Sequence, residues 1–314
     1  MAPTSEVLAD MAELRSQLRA QGDPHLVLLR LIPTRVMLDI AFDWVIVFAA
    51  VGAVVWMNAL MVPLAIMVIA NRQRALGNIL HDAGHCNLWR ERRRNDAVAA
   101  TLVAPLLFAS LSSYRESHFK HHMALGVASG DPDFLAIPQN PPRHWLASYL
   151  RNVFSWSAWI GSFGGHLFAH QVSTRSKLYI VCWWVTFLGL MWAALGSSFT
   201  QSFVWLWLLS RATVFHLITV FREMCDHFGL APGGVFTFTR DMVDHGPWRR
   251  IIHPRNNGYH LTHHLLPAVP YYRLPAAHAL LSQLPVLQER AHACTAYFSG
   301  TDAVVQAWRR REFH

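Results

Sequence analysis

The 314-residue chain has little charge and almost no lysine. Charged residues make up 15% of it, against roughly 25% in soluble globular domains. Apolar residues make up 53%. That balance argues against one or two ordinary soluble domains and for a chain that places much of its surface in lipid. Of 27 basic residues only Lys120 and Lys177 are lysine, so the net charge of +8 is almost wholly arginine. These arginines stand next to apolar segments, as in Arg72 and Arg74, the run Arg90, Arg92, Arg93 and Arg94, and the pair Arg249 and Arg250. Such placement follows the positive-inside rule. Rings are not interleaved with the arginines as a single-strand binder requires, so no nucleic-acid partner is expected. The four cysteines, Cys86, Cys182, Cys225 and Cys294, have no paired spacing, which favours reduced thiols over disulfides and offers no array for an iron–sulfur cluster. Residues 1–35 lack the apolar core and cleavage site of a secretory signal. They are expected to form a cytosolic or interfacial N-terminal segment of one or two amphipathic helices.

Long apolar runs are present, and they come in pairs. Residues 36–56 and 59–80 are separated only by the uncharged Met57 and Asn58. Residues 178–196 and 201–221 are separated by Ser197 and Ser198. A run of about 20 apolar residues crosses a bilayer, so the expected fold is an all-α integral membrane protein with about four transmembrane helices in two hairpins. Residues 97–112 are short for a span and contain Pro105, and residues 153–171 are rich in glycine and carry His166 and His170. The first is expected to be re-entrant or interfacial and the second interfacial. Within the last span, Arg211 and His216 are expected to face the protein interior or a cavity. The charged segments all fall on one side, which the positive-inside rule makes cytosolic. The expected domains are the N-terminal segment 1–35, a membrane domain over 36–290 and a cytosolic tail over 291–314.

The chain has 19 histidines, and their spacing carries the chemistry. His81 and His85 stand four apart in HDAGH. His118, His121 and His122 in HFKHH, and His260, His263 and His264 in HLTHH, stand three and four apart. On a helix these positions share one face, so each cluster aims its imidazoles at one point. Neutral imidazole suits iron, zinc, copper and nickel. Eight imidazoles exceed the four positions of one tetrahedral zinc and match two metals. A carboxylate-bridged di-iron bundle would need paired Glu-x-x-His motifs, and only Glu289 to His292 has that spacing. The pair His166 and His170 repeats the HxxxH spacing inside a glycine-rich apolar segment and reads as structural.

The three clusters resemble the histidine boxes of the membrane fatty acid desaturase and hydroxylase superfamily. Gly130-Asp131-Pro132-Asp133-Phe134 is similar to that family's segment after its second box. The stretch from Asn257 through His264 to Pro275 is similar to its third-box region. The likeness extends over approximately residues 40–285 and is specific for family rather than for substrate. It implies a cytosolic, histidine-rich helical region holding two Fe2+ ions, with O2 as co-substrate. Members also carry one more histidine after the last span, and His227 occupies that position, 33 residues before His260. The implied ligand set is therefore His81, His85, His118, His121, His122, His227, His260, His263 and His264. Glu223, four residues before His227, is a further candidate for the metal or for a hydrogen bond to a ligand. Asp82, Asp131, Asp226 and Asn257 are candidates for orienting imidazoles, with helix and loop capping as the ordinary alternative.

The same resemblance implies an oxidoreductase that introduces a double bond into a fatty acyl or similar aliphatic chain. No catalytic residue beyond the metal centre is expected. Hydroxylation or ketolation, or desaturation of a small amino-acid-derived metabolite of the rhizobitoxine type, are alternatives on the same scaffold. A haem-binding or metal-transporting membrane protein is the alternative from another class. Haem would need only one or two axial histidines, and a transporter would place ligands near the bilayer midplane. The chain has no haem-binding HPGG motif of a fused cytochrome b5, so an external electron donor is implied, either a ferredoxin, a rubredoxin or a cytochrome b5 with its reductase. Arg92 to Arg94 are candidate contacts for such an acidic carrier or for lipid headgroups. The expected location is a bacterial inner membrane, with the active site on its cytosolic face.

Overall fold

The computed structural model describes residues 3–135 and 144–308; residues 309–314 of the expected tail lie outside them. The chain divides into two compact units. The first comprises Met1–Leu31, Arg115–Arg151 and Phe221–His314, and the second Ile32–Tyr114 and Asn152–Val220. In chain order the early helices are α1 (Ser5–Ala20), α2 (Pro33–Gly52), α3 (Val62–Gly84), α4 (Arg92–Leu102) and α5 (Leu111–Met123). Next come α6 (Trp145–Val153), α7 (Trp156–Gly164), α8 (Thr174–Ser210) and α9 (His216–His227). The C-terminal third holds α10 (Val235–Phe238), α11 (Trp248–Ile252), α12 (His260–Leu265), α13 (Leu274–Leu281), α14 (Pro285–Arg290) and α15 (Val304–Ala307). The expectation of an all-α chain needs one small amendment. Strand β1 (Arg240–Met242) pairs in parallel with β2 (His292–Cys294).

The second unit contains most of the apolar length. Among the described residues, three helices are long and apolar enough to cross a membrane: Pro33–Met57, Ala59–Gly84 and Thr174–His227. Pro33 opens the first, where a missing N–H costs nothing. Its buried face is Val36, Ile40, Asp43, Val47 and Val51, at helical spacing. Asp43 is completely buried yet sits in an apolar run, because Arg72 of α3 donates to its carboxylate at 2.8 Å. A buried charge of this kind survives only when paired. The two apolar segments expected at 178–196 and 201–221 both lie in the third helix, interrupted at Gly196 (φ 82°, ψ 173°). A straight helix would put Trp184 and Trp207 about 34 Å apart. Their ring centroids are 6.5 Å apart, and those of Phe187 and Phe203 are 5.6 Å apart. The chain therefore turns back at Gly196, and the two segments form a hairpin. Arg211 is buried, as expected of an ionisable residue in a span. Its guanidinium donates to the carbonyls of Phe163 and Leu107, and it lies over the rings of Phe108 and Phe215.

The first unit is built of short elements around one apolar core. Thr4 caps α1 by accepting from the Val7 N–H. The buried face of α1, Val7, Leu14 and Leu18, packs with Leu230, Phe236, Phe238, Leu261, Leu265, Val269 and Leu281. Asp10 on that same face is buried, and it accepts from the Phe236 N–H at 3.2 Å and from Arg290 at 2.7 Å. The segment set apart in sequence as a tail enters this unit: β2 pairs with β1, and Tyr297, Val304, Val305 and Trp308 are buried.

Candidate metal centre

Four imidazoles in the first unit converge. His121 lies near the end of α5, His227 at the end of α9, and His260 and His264 on one face of α12. All four are buried, and their ring nitrogens lie within 4.8 Å of one another. His121 Nε2 is 3.2 Å from His264 Nε2, His264 Nε2 is 3.0 Å from His260 Nε2, and His260 Nε2 is 2.9 Å from His227 Nε2. The opposite nitrogens face acceptors. His121 Nδ1 contacts the Asp131 carboxylate at 2.6 Å, and His227 Nδ1 contacts the Phe238 carbonyl at 2.7 Å. His260 Nδ1 faces Asp226 at 3.6 Å. With Nδ1 as the donor in His121 and His227, their Nε2 lone pairs point inward. Lone pairs crowded at about 3 Å repel unless a cation takes them up, and a carboxylate or carbonyl behind the imidazole is the usual arrangement behind a metal. The donor set thus fits a metal of the imidazole-preferring kind.

Three further box histidines assemble in the same unit. His122 Nε2 is 3.0 Å from His118 Nε2, and His263 Nε2 is 3.2 Å from His122 Nε2. These three also offer ring nitrogens within 4.8 Å of one another. The remaining pair, His81 and His85, belongs to the second unit. His81 sits on the last turn of α3, His85 caps that helix, and their rings are 5.4 Å apart.

The charge states follow from the surroundings. Burial holds His260 and His264 well below the ordinary imidazole value, so both are neutral and able to ligate. Burial also pulls His121 down, but the hydrogen bond to Asp131 and the charges of Asp133 and Asp131 outweigh it and leave His121 raised. Burial alone would raise Asp131. The bond to His121, its charge, and the N–H groups of Gly126 and Asp133 together hold it below the usual carboxylate range.

Local geometry explains why α12 presents its histidines so firmly although it has only six residues. Asp241 on β1 accepts from the Thr262 N–H at 3.0 Å, from the Thr262 hydroxyl at 2.6 Å and from His278 at 2.7 Å. The Met242 N–H donates to the Gly258 carbonyl at 2.7 Å. A Cβ at Gly258 would press on Met242 and on the His253 ring at 3.1–3.2 Å, so glycine lets β1 lie this close without either neighbour giving way. Arg255 and Asn256 are left-handed (φ 60° and 61°). Asn256 is held there by the Tyr271 carbonyl at 3.1 Å and by Arg249 at 2.9 Å. Asp241 and His278 carry no recognisable spacing, and the Thr262 hydroxyl inside the box is the only sequence signal for them.

Asp226 is buried among Arg222 at 3.1 Å, His253 at 3.5 Å and His260 at 3.6 Å. Asn257 accepts from the same Arg222 at 3.3 Å. Asp82 is buried beside His81 at 3.8 Å, and its backbone carbonyl accepts from His85 and Asn87 as α3 ends. Glu223 is half-buried, and its carboxylate is not among the converging ligand atoms. His166 and His170, which share the first box's spacing, occupy a 3-10 turn and a following turn, and His170 is exposed. None of the four cysteines is in a disulfide.

Comparison with known proteins gives this geometry its context. The sequence profile of the fatty acid desaturase family matches residues 55–297, which takes in all three boxes and His227. The chain belongs to the fatty acid desaturase family. A characterised relative, dihydrorhizobitoxine desaturase of Bradyrhizobium elkanii, is 26% identical over 271 residues, covering 78% of this chain and 75% of the relative. This desaturase-family protein is thus an oxidoreductase whose histidine clusters are able to hold metal, and its apolar helices associate it with a membrane.

Proposed function

We propose that the protein is an O2-dependent di-iron desaturase of the bilayer. His121, His227, His260 and His264 would hold one iron. His118, His122 and His263 would contribute to the other, and the family resemblance adds His81 and His85 of the first box to the ligand set. Two ferrous ions bound there would supply O2 activation and the removal of two hydrogens from adjacent unactivated carbons. The protein's own contribution is to orient the imidazoles through Asp131, Asp226 and the Phe238 carbonyl, and to hold His260 and His264 neutral by burial. The observation that carries this reading is the convergence of four buried Nε2 atoms at 2.9–3.2 Å with acceptors behind three of the rings.

The substrate we favour is an aliphatic chain presented at the membrane surface. A specific second reading is a small amino-acid-derived substrate, because the curated relative is named as a dihydrorhizobitoxine desaturase. A hydroxylase or ketolase on the same scaffold would add oxygen where a desaturase removes two hydrogens, and the product mass separates them. We further propose four crossings, two from α2 and α3 and two from the arms either side of Gly196, with the boxes on the cytosolic face of a bacterial inner membrane. Electrons would come from an external ferredoxin, rubredoxin or cytochrome b5 with its reductase.

Metal analysis of the detergent-purified protein tests this first. We expect about two irons per chain, falling by half or more in His263→Ala, because the cluster loses a direct ligand. Zinc alone at one per chain, unchanged by that substitution, would overturn the proposal.

A further inference from the structure

One surface of the first unit joins exposed rings to basic side chains. Trp248 is 49% exposed on α11, Ile251 on the same short helix is 39% exposed, and Phe298 is 37% exposed. Trp248 and Phe298 pack edge to face with centroids 5.3 Å apart. Arg249 and Arg250 follow Trp248 directly, and Arg250 is exposed. Arg249 reaches inward to Asn256 and lies over the Tyr259 ring at 5.9 Å. Aromatic anchors with arginines beside them are the usual make-up of a protein-docking patch, and their charge suits an acidic partner.

Behind this patch runs a line of contacts to the four-histidine cluster. Phe298 meets Tyr297 at 6.2 Å between centroids. The Tyr297 hydroxyl is 2.7 Å from His253 Nδ1, and the two rings are stacked at 22°. His253 Nε2 is 3.5 Å from Asp226 Oδ1, and Asp226 Oδ2 is 3.6 Å from His260 Nδ1. Tyr297, His253, Asp226 and His260 are each at most 4% exposed. Burying a phenol, an imidazole and a carboxylate in a row costs more than filling the same space with apolar side chains. Neither Tyr297 nor His253 belongs to a histidine cluster, so ligation does not account for them.

We propose that the Trp248–Phe298 surface, with Arg249 and Arg250, docks an acidic one-electron carrier, and that Tyr297, His253 and Asp226 couple that surface to His260. The proposal rests on the di-iron reading for its acceptor. Each docking oxidises the carrier by one electron and reduces the centre by one, with no bond made or broken along the line. Two dockings balance the reaction, in which O2, two protons, two carrier electrons and a CH2–CH2 unit give a CH=CH unit and two waters. The basic run Arg92 to Arg94 lies in the second unit, where Arg92 pairs with Asp96 and Arg94 with Glu91, and it serves as the comparison surface.

The test uses the full-length protein in nanodiscs, with a reduced two-iron ferredoxin and the soluble domain of cytochrome b5 as probes. Binding is measured against salt on iron-loaded and iron-stripped protein. Trp248→Ala with Arg250→Glu is expected to weaken Kd for at least one probe by about tenfold or more and to flatten its salt dependence. Replacing Arg92, Arg93 and Arg94 together by glutamate should leave Kd within about twofold. Tyr297→Phe keeps the ring but removes the hydroxyl that touches His253. It is expected to leave Kd and iron content unchanged while slowing stopped-flow reduction of the iron by about tenfold. Unchanged binding in the Trp248/Arg250 variant, or loss on the Arg92–Arg94 face, would overturn the docking site. So would a loss confined to phosphatidylglycerol vesicles, which would make the patch a membrane contact. Unchanged reduction in Tyr297→Phe would overturn the coupling line. Patch-dependent binding by a protein that holds no iron would instead leave the dock standing and remove the di-iron reading.

Discussion

Two stretches of this chain share the spacing HxxxH and come to different ends. In His81–His85 the spacing closes a 23-residue helix, with His81 on its last turn and His85 as its cap, and the two rings lie 5.4 Å apart. In His166–His170 the chain passes through a single 3-10 turn after Gly165, whose φ is +52°, and His170 is exposed. Gly165 cannot be replaced there without its Cβ meeting the Phe108 carbonyl at 2.9 Å. A four-residue interval aligns two side chains only where the helix is continuous. The tautomer differs as well. His166 Nδ1 accepts from the Ser110 N–H at 2.9 Å, so its proton resides on Nε2. His121 does the reverse, giving its Nδ1 proton to Asp131 and leaving Nε2 open.

The sharpest way to break this comparison is to remove one histidine from each stretch. His85→Ala is expected to lower desaturation more than about a hundredfold, beyond the 10–100-fold typical of losing a partner behind a ligand. His170→Ala should stay within about twofold, as expected for an exposed side chain away from special contacts. Iron content measured alongside should follow activity in the first and stay constant in the second. Equal losses in both would mean that spacing alone, not helix continuity, selects the ligands.

How much of this was legible in sequence depends on how local the signal is. Box spacing and the apolar runs are local, and the helices over 33–57 and 59–84 match the expected first hairpin closely. The second hairpin is legible as two runs whose uncharged Ser197 and Ser198 mark the expected turn, whereas the backbone breaks at Gly196. That shift is what a positive φ demands, since only glycine takes it without strain. Asp241 leaves no local signal because its partners, Thr262 and His278, lie 21 and 37 residues away. The line from His253 to Tyr297 spans 44 residues and has no periodic trace. Residues 292–308 look polar and irregular in sequence, yet β2 and the side chains of Tyr297 and Trp308 fill the first unit. Long-range pairing of this sort is fixed by packing, which a single sequence does not spell out.

A middle-sized effect sharpens the tautomer half of the comparison. Asp131 accepts at Oδ1 from His121 and the Asp133 N–H, and at Oδ2 from the Gly126 N–H. Asp131→Asn keeps the shape but turns one acceptor into a donor. Its amide must face either the Gly126 N–H or the His121 ring, and the latter would pull the imidazole proton to Nε2. We expect iron affinity to fall by about 10–100-fold, read by competition with a chelator, with little change in helix content by circular dichroism. Full affinity in this variant would show that the Asp131 contact does not set the ring's ligating nitrogen.

The smallest expected effect belongs to His166 and is read as stability against pH. Burial first, and then the charge of Arg211, push His166 down to about 4 from an ordinary 6.5. In the unfolded chain the same imidazole takes its proton near 6.5. Between those values the unfolded state binds more protons than the folded one, so stability rises with pH there and is lost as pH falls through 6.5 toward 4. The slope from this one group is at most about 1.4 kcal/mol per pH unit. His260 and His264 are lowered in the same sense, so the wild-type curve alone cannot isolate it. His166→Asn keeps an acceptor for the Ser110 N–H and removes the titration. Thermal midpoints of iron-free protein should fall less steeply from pH 6.5 to 4.5 in that variant than in wild type. Parallel curves would mean that His166 is protonated as readily in the fold as in water. The contrast with the box histidines would then rest on helix geometry alone.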